Sequence, residues 1–532
     1  MTSRSALSHR AEPAISVDFR SILRSRALVA GLVCVFLGAI DLTVIASILS
    51  TIIPDLGVNT ADIDRYIWVV NGYLIAYIVA IPLVGRLSDI IGRRRAFAGC
   101  LAVFAAGSIA CATADTLGGL VLGRTIQGLG GGGLLPVTIA LAGDVLPRRM
   151  RLAGIGLVSA VDTLGWVLGP TYGALIVGLF PASDQPWRWV FWLNVPLLLV
   201  AVMAISRGFP RESVPGVVDD RRSLDIPGAV LLAGALVSLN LALASGGEIG
   251  TQTGSGLRAL GGTPNPLADQ IPALLGISAV CLAGLVYWER KARVPILPMN
   301  LLRRRRYVAT IVANFLIGAA LMVAMVNVPV IVALVRDPST VSRDSALLLA
   351  PLTLGIATFS LLSGPIAARI GTFRMTATGV ALTVMGFLAL YALVDRDNVA
   401  KMAIGLVLAG AGIGLLLAPL SATALDESSE RDRGAAASTA LVFRLLGMTI
   451  GISTLTAAGV SRLQALTGRL APVVKAPDES TAAFLNRQRQ FIEDHAIPLS
   501  IQVMQETFLA AAIIAACAII PIAVMRNREV GD

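Results

Sequence analysis

The chain has 532 residues, of which 55% are apolar and only 14% are charged, and its mean hydropathy is +0.78. Soluble domains carry about 25% charged residues, so this composition excludes a soluble globular protein. The formal net charge of +10 does not indicate a nucleic-acid partner, because basic residues also collect in the cytoplasmic loops of membrane proteins.

The N-terminal stretch of residues 1–26 is polar, and an apolar run over residues 27–53 follows it. This run is longer than the apolar region of a secretory signal peptide and has no evident cleavage site. We therefore expect residues 1–26 to form a cytoplasmic tail and residues 27–53 to form a first membrane span that is retained.

Fourteen apolar runs recur along the chain, each long enough to cross a bilayer as a helix of about 20 residues. Their length and their lack of alternating polarity favour helices over the strands of a barrel. The sequence therefore predicts an all-α polytopic membrane protein. We number the predicted spans 1 to 14; they cover residues 27–53, 66–85, 96–114, 117–143, 152–179, 189–206, 224–244, 271–288, 307–335, 345–368, 375–394, 400–424, 435–460 and 501–525.

The distribution of Lys and Arg supports this number of spans. If both termini are cytoplasmic, the cytoplasmic segments hold 29 of the 43 basic residues, the opposite side holds 12, and two lie within spans. A missed or invented span would move every later loop to the other side of the membrane and would weaken this bias. The excess of basic residues on the cytoplasmic side therefore agrees with the positive-inside rule and with fourteen spans. Since Arg greatly outnumbers Lys, as is typical of a GC-rich bacterial genome, we expect a multi-pass protein of the bacterial cell (inner) membrane.

An internal repeat divides the chain into two halves. The segment 85–95 matches the segment 364–374, with both of its glycines shifted equally along the chain, and the glycine pair at 165 and 169 recurs at 447 and 451. Two parallel six-span halves are a transporter architecture. We therefore predict an N-terminal six-helix bundle, a linker with inserted spans 7 and 8, a C-terminal six-helix bundle and a second cytoplasmic tail, over residues 27–206, 207–306, 307–525 and 526–532.

Residues that could hold a metal or a cofactor are few. His9 and His495 lie outside the apolar runs, and the five cysteines lie inside them without a CxxC pair, so we expect the cysteines to be small buried hydrophobes. The chain has no GxxxxGK[ST], HExxH or GxSxG pattern, which argues against ATP hydrolysis and against an intramembrane enzyme. We expect secondary transport with no metal and no cofactor, driven by the proton gradient.

The segment between spans 2 and 3 combines two glycines, an acid and several arginines. Gly85 and Gly92 permit a tight turn, while Asp89 can accept from Arg93 or lie at a helix N terminus in the other half. A basic loop that merely obeys the positive-inside rule explains the arginines but neither Asp89 nor the glycines. We interpret this segment as a latch between the halves, which holds one conformation.

Spans 1 and 4 carry embedded polar residues. Asp41 lies near the middle of span 1 and is followed by Thr43, while Arg124 in span 4 is followed by Gln127 and Gly128. A charge at that depth must be paired or hydrated, and a carboxylate can also be protonated. We predict that Asp41 takes part in proton coupling. The alternatives are a structural hydrogen bond for Asp41 and a snorkelling side chain for Arg124.

Asp162 in span 5 and Arg444 in span 13 have the same separation along the chain as the repeated glycine pairs of those two spans. The repeat therefore places them at equivalent positions beside one central cavity. We hypothesise that Arg444 favours the ionised form of Asp41 or Asp162 in one state and moves away in the other. A static ion pair between the halves is the alternative.

Further polar residues are candidates for lining that cavity, although intramembrane Asn also joins helices. They are Thr43, Asn314 and Asn327. Span 5 also carries Gly165, Gly169, Pro170 and Gly173. Small residues four apart allow helices to approach closely, and a proline bends a helix.

These motifs resemble those of the major facilitator superfamily, in its fourteen-helix drug:proton antiporter branch. The resemblance covers nearly the whole chain and involves segment 85–95, the run from Arg124 to Gly128, the antiporter signature over residues 165–173, and span 1 around Asp41. It implies the major facilitator fold with two inserted helices, and it implies a proton-coupled antiporter that exports by alternating access.

Three runs resemble a subfamily of actinobacterial exporters of triacylglycerides, which also affect drug tolerance: residues 68–89, 188–196 and 444–451. The chain differs from that subfamily in its short loop Asp395–Lys401 and in Asn327, which stands where those members carry an acid. Their span 5 acid also lies one residue after Asp162.

We therefore expect multidrug efflux of small amphipathic or lipophilic substrates, in exchange for protons, from the lipid bilayer. Export of a membrane lipid such as triacylglyceride is the alternative, with an extracytoplasmic lipoprotein as a partner in that case. A solute importer is a lesser alternative.

Overall fold

The structure is a computed structural model, and it describes residues 22–56, 63–180, 183–208, 225–248, 270–292, 295–297, 299–336, 340–395, 398–467 and 480–526. These residues form helices and short connections, without a strand among them. Fourteen helical segments of this part of the chain are long and apolar enough to cross a membrane, so the predicted fold class is confirmed. Most of both predicted tails, residues 1–21 and 527–532, lies outside the described residues.

The helices follow the predicted spans closely. Spans 1 to 6 are Arg26–Asp55, Ile63–Ile91, Arg93–Ala112, Leu117–Gly131 with Leu134–Val145, Arg148–Leu179, and Arg188–Gly208. Spans 7 and 8 are Ile226–Glu248 and Ile271–Glu289. Spans 9 to 14 are Arg305–Val335, Val341–Ile370, Thr372–Leu393, Met402–Asp426, Arg433–Thr467, and Ile497–Cys517 with Ile519–Met525.

Helices form here because a bilayer offers no water to backbone groups, so each span must satisfy its own N–H and C=O groups. Prolines interrupt this pattern within several spans and remove one backbone donor each. They are Pro82, Pro170, Pro196, Pro329, Pro351, Pro365 and Pro419.

The internal repeat is visible in the backbone. Gly92 starts span 3 with φ 87° and ψ 152°, and Gly371 starts span 11 with φ 83° and ψ 150°. Only glycine adopts such positive φ values readily. Among the glycines of the described segments, Gly92 and Gly371 are the two with positive φ. The same tight turn therefore occurs at the same place in each half.

The two halves meet along two seams, one between spans 2 and 13 and the other between spans 5 and 10. Glycines allow this approach: a Cβ on Gly85 would lie 2.6 Å from Oγ of Ser438, and a Cβ on Gly364 would lie 2.6 Å from Cβ of Ala153. Both contacts are near the end of the bundle that carries Gly92 and Gly371, which we call the latch end.

The inserted spans 7 and 8 pack against each other, and span 7 also lies against spans 2 and 13. Only 11% of an apolar 18-residue stretch of span 8 is buried inside the protein. The pair therefore sits beside one seam, with span 8 facing the surroundings.

A helix outside the predicted spans, Thr481–Phe491, lies between spans 13 and 14. Its described side chains are all at least partly exposed. A short π-helical segment, Ile492–Ala496, connects this helix to span 14.

Close packing of the spans predicts a position-dependent effect on stability. Gly107 of span 3 is buried, and a Cβ there would lie 2.7 Å from Cβ of Gln127, whereas Gly99 on the same span has nothing within 4 Å. Because overpacking costs about 1–3 kcal/mol, we expect Gly107→Leu to lower the melting temperature of the detergent-solubilised protein by a few degrees. Gly99→Leu is the matched control, and an equal loss in both variants would contradict the packing of span 3.

Candidate functional site

Asp41 lies in the middle of span 1 and forms a buried ion pair. Its Oδ2 accepts a hydrogen bond from Nη1 of Arg124 on span 4 at 2.6 Å, and both side chains are 1% exposed. Two charges are tolerated at this depth because each satisfies the other. Arg124 does not snorkel toward a membrane surface.

Three neutral side chains complete the arrangement. Nε2 of Gln127 donates to Oδ1 of Asp41 and to Oγ of Ser108, each at 2.9 Å, and its Oε1 accepts from Arg124 at 2.6 Å. Nδ2 of Asn194 on span 6 also donates to Oδ1 of Asp41 at 2.9 Å. These five residues, which we call the N-half polar cluster, join spans 1, 3, 4 and 6.

An aromatic ring covers the cluster on the side of span 2. The guanidinium carbon of Arg124 lies 4.1 Å from the centre of the Tyr73 ring, a cation–π geometry. Gly128 permits this approach, since a Cβ there would lie 3.1 Å from Cα of Tyr73. The span 4 motif therefore works as a unit: Arg124 and Gln127 contact Asp41, while Gly128 lets span 2 come close.

Asp162 and Arg444 lie on opposite sides of the boundary between the halves. Asp162 is 9% exposed, Arg444 is partly buried, and the two interact electrostatically with each other and with Tyr77 of span 2. The described contacts include no ion pair within 4 Å for either residue. The arrangement therefore differs from a static ion pair, and the ion-pair partner of Asp41 is Arg124 and not Arg444.

The end of span 2 and the start of span 3 contact the other half, through Asp89 in the last turn of span 2. Both carboxylate oxygens of Asp89 accept backbone hydrogen bonds at 2.9 Å, from the N–H groups of Gly434 and Ala435 at the start of span 13. Nη1 of Arg93 lies 2.6 Å from Oδ1 of the same carboxylate. A carboxylate at a helix N terminus is favourable, because free N–H groups and the helix dipole both attract negative charge.

A second acid extends this contact. Asp144, at the end of span 4, accepts from Nε of Arg93 at 2.9 Å and from Nη1 of Arg433 at 2.8 Å. Arg86 of span 2 pairs with Asp432 of the other half at 2.8 Å. We call Arg86, Asp89, Arg93, Asp144, Asp432 and Arg433 the latch cluster.

The seam between spans 5 and 10 has no such carboxylate at the matching position. The repeat places Ala368 where Asp89 stands in the first half. Small residues hold that seam instead: a Cβ on Gly156 would lie 2.8 Å from Oγ of Ser363. The carboxylate-to-helix contact of Asp89 therefore has no counterpart in the second half, although Arg151 at the start of span 5 pairs with Asp426 at the end of span 12 at 3.3 Å.

The glycine motif of span 5 packs against span 1. A Cβ on Gly165 would lie 2.5 Å from Cβ of Ala39, and Gly169 faces the carbonyl of Ile40. Thr43 Oγ1 donates to the backbone carbonyl of Trp166 at 3.0 Å, which ties the spans together. Pro170 lies inside the helix and Gly173 is buried.

The two asparagines of span 9 lie within the C-terminal half. Asn314 is buried and donates to the carbonyl of Thr310 on its own helix at 3.0 Å. Asn327 donates to Oγ1 of Thr507 on span 14 at 2.5 Å. The contact of Asn327 favours the helix-joining interpretation for that residue, whereas the bond of Asn314 stays within span 9.

Several residues of the site escaped the sequence analysis. Ser108, Asp144 and Arg433 belong to none of the motifs described above, and Asn194 lies within the run 188–196 but is assigned no role by the motifs. Asn194 offered one signal, as an amide inside the apolar run of span 6.

The family model described as the Major Facilitator Superfamily matches residues 31–452. Several relatives carry the name triacylglyceride transporter. One from Mycolicibacterium hassiacum is 35% identical over 86% of this chain and 84% of its own length. A probable triacylglyceride transporter from Mycobacterium leprae is 32% identical over 92% of this chain and 94% of its own length.

Solved structures are similar in fold at low sequence identity. A proton:xylose symporter has a TM-score of 0.56 at 16% identity, covering 93% of this chain and 95% of its own. A human organic anion transporter has a TM-score of 0.55 at 15% identity, covering 92% and 99%. Because the family model spans most of its length and these named relatives match it along both bundles, the chain belongs to the major facilitator superfamily, as a transporter and not as an enzyme.

Proposed function

We propose that this protein is a secondary active exporter that exchanges protons for a lipophilic cargo, with a triacylglyceride-type lipid as the preferred cargo. The single observation that carries the proton coupling is the buried ion pair of Asp41 and Arg124. The names of the relatives support the lipid alternative better than multidrug efflux, which the sequence motifs favoured.

The ion pair suits proton coupling for an electrostatic reason. Protonation of Asp41 neutralises it and leaves the charge of Arg124 buried without its counter-charge, an arrangement that is strongly unfavourable. The helices around the N-half polar cluster must then rearrange to satisfy Arg124. Proton binding and helix movement are thereby linked in free energy.

The latch cluster gives the cycle its second element. The positive-inside rule assigns the latch end to the cytoplasm, with both termini on that side of a bacterial inner membrane. The halves are in contact there, so this conformation is closed toward the cytoplasm. Opening on that side requires the hydrogen bonds of Asp89 to span 13 to break.

Asp162 and Arg444 give the boundary between the halves a pair of opposite charges that are not in direct contact. We propose that they respond to the proton and the cargo together, because a change in the separation of the halves changes their mutual attraction. Asp41 is held by Arg124 within one half, so the two acids have different roles.

The cargo is assigned from chemistry and from the relatives. Pockets for lipophilic molecules have apolar walls with few polar groups, and a triacylglyceride is soluble in a bilayer but not in water. Its removal from the membrane would require an acceptor, such as an extracytoplasmic lipoprotein. Small amphipathic drugs remain a second candidate cargo, favoured by the antiporter glycine motif of span 5 and the short Asp395–Lys401 connection.

We expect substrate-dependent proton flux to disappear in Asp41→Asn. The test uses purified protein in liposomes with a proton gradient and an internal pH dye, supplied with fluorescent triacylglyceride or with lipophilic drugs. Asp115→Asn is the matched control, since Asp115 is an exposed acid paired with Arg188. Flux that persists in Asp41→Asn, with normal folding, would contradict the proposed coupling residue.

The response to cargo type separates the two cargo candidates. Flux triggered by the lipid alone supports lipid export, and flux triggered by drugs alone supports multidrug efflux. An absence of any proton movement in the wild type, with cargo transfer intact, would overturn the antiport proposal.

The latch predicts a change in access at one end. Asp89→Asn removes the negative charge that span 13 contacts, so we expect the latch end to open more often. The thiol introduced by Ser438→Cys, which faces Gly85 across the seam, should then react with a maleimide several times faster, as read by mass spectrometry. Asp344→Asn, at the opposite end of the bundle, is the control and should leave that rate unchanged.

Arg444 provides a further test. We expect Arg444→Ala to abolish cargo-dependent proton flux at unchanged protein stability, while Arg444→Lys keeps part of it, because the positive charge acts on Asp162 without direct contact. If Arg444→Ala transports and couples normally, the role proposed for this residue is wrong.

A further inference from the structure

Asn194 contacts Asp41, and the sequence motifs assign it no role. It lies in span 6, is 6% exposed, and donates to Oδ1 of Asp41 at 2.9 Å. In the described part of the chain, this hydrogen bond connects span 6 to the carboxylate of Asp41. The other side chains that bond to this carboxylate come from span 4.

The two amides on Asp41 differ in freedom. Gln127 is fixed, because its Oε1 accepts from Arg124 while its Nε2 donates to both Asp41 and Ser108. Among the hydrogen bonds of the described residues, the side chain of Asn194 makes one, to Asp41. Rotation of its amide therefore breaks one bond, whereas rotation of the Gln127 amide breaks these three and a fourth, which its Oε1 accepts from Sγ of Cys111.

An amide can serve both ionisation states of a carboxyl group. Its NH₂ group donates to a carboxylate, and after rotation its oxygen accepts from a protonated carboxyl. Span 6 can adjust around this point, because Pro196 lies inside the helix two residues further on and the carbonyl of Trp192 lacks its usual backbone donor.

We infer that Asn194 is a positioning residue that couples the ionisation of Asp41 to span 6. It donates to the ionised carboxylate and turns to accept from the protonated one, so that span 6 is held differently in the two states. This inference rests on the proposed role of Asp41 in proton coupling and extends it to a helix outside the ion pair.

The titratable groups that face Asp41 are few. Arg124 on span 4, Tyr73 on span 2, Cys111 on span 3 and Tyr172 on span 5 interact with it electrostatically. Arg, Tyr and Cys titrate ordinarily at about pH 8.5 or above. The acid side of a pH profile therefore reports on carboxyl groups: Asp41, Asp162 at the boundary between the halves, and Asp89 of the latch cluster.

The test is the pH profile of Asn194→Leu, which keeps the branching of the side chain at Cγ but removes the donor. A hydrogen bond to a carboxylate favours the ionised form, so its loss should move the midpoint of proton-driven transport toward alkaline pH by about one unit. Asn194→Gln, which keeps an amide, should restore most of the wild-type profile. Asn240→Leu is the matched control: Asn240 is buried in span 7 and, among the contacts of the described residues, bonds to the carbonyl of Leu236 alone.

A second readout works without transport. A pH titration of the purified protein followed by infrared difference spectroscopy should show a carboxyl band that Asp41→Asn removes and Asn194→Leu displaces to a higher midpoint. A lower rate in Asn194→Leu with an unchanged midpoint would reduce Asn194 to a structural contact and overturn the inference. If the wild-type protein itself shows no proton coupling, the proposed function is refuted instead.

Discussion

A charge inside a bilayer must be satisfied by the protein around it, and this constraint explains most of the polar architecture of the chain. Asp41 and Arg124 satisfy each other at 2.6 Å, and the remaining capacity of the carboxylate is filled by amides from spans 4 and 6. The pair thereby fixes the relative positions of several helices. The same pair is sensitive to a single proton, because neither charge is tolerated alone.

The latch cluster follows the same rule at the membrane surface, with a different partner. Asp89 is satisfied by backbone N–H groups at the start of span 13 and by Arg93, so the contact depends on the position of a whole helix. The repeat would permit two such contacts, yet Ala368 replaces the acid in the second half. The two seams therefore differ in their contacts: a buried carboxylate meets a helix N terminus at the seam that the inserted span 7 adjoins, whereas beside the other seam Arg151 pairs with the half-exposed Asp426.

Much of this architecture was accessible from the sequence. Apolar runs gave the number of spans because a bilayer imposes a minimum length, and the repeat placed Gly92 and Gly371 at equivalent turns, where both have similar positive φ values. Helix ends were less accessible: span 13 continues to Thr467, beyond the apolar run that ends near residue 460, because backbone hydrogen bonds do not stop where polar side chains begin. The partners of the charges could not be read, since Asp41 lies 83 residues from Arg124 and 153 from Asn194.

The central claim is that cargo binding and the proton on Asp41 are linked, and it is tested most directly without a membrane gradient. Purified protein in a weakly buffered detergent solution would be mixed with a triacylglyceride dissolved in detergent micelles. A pH indicator would record the release of protons. The account predicts release on cargo addition by the wild-type protein, at a pH where Asp41 is partly protonated, and none by a folded Asp41→Asn variant. Equal release by both proteins would contradict it.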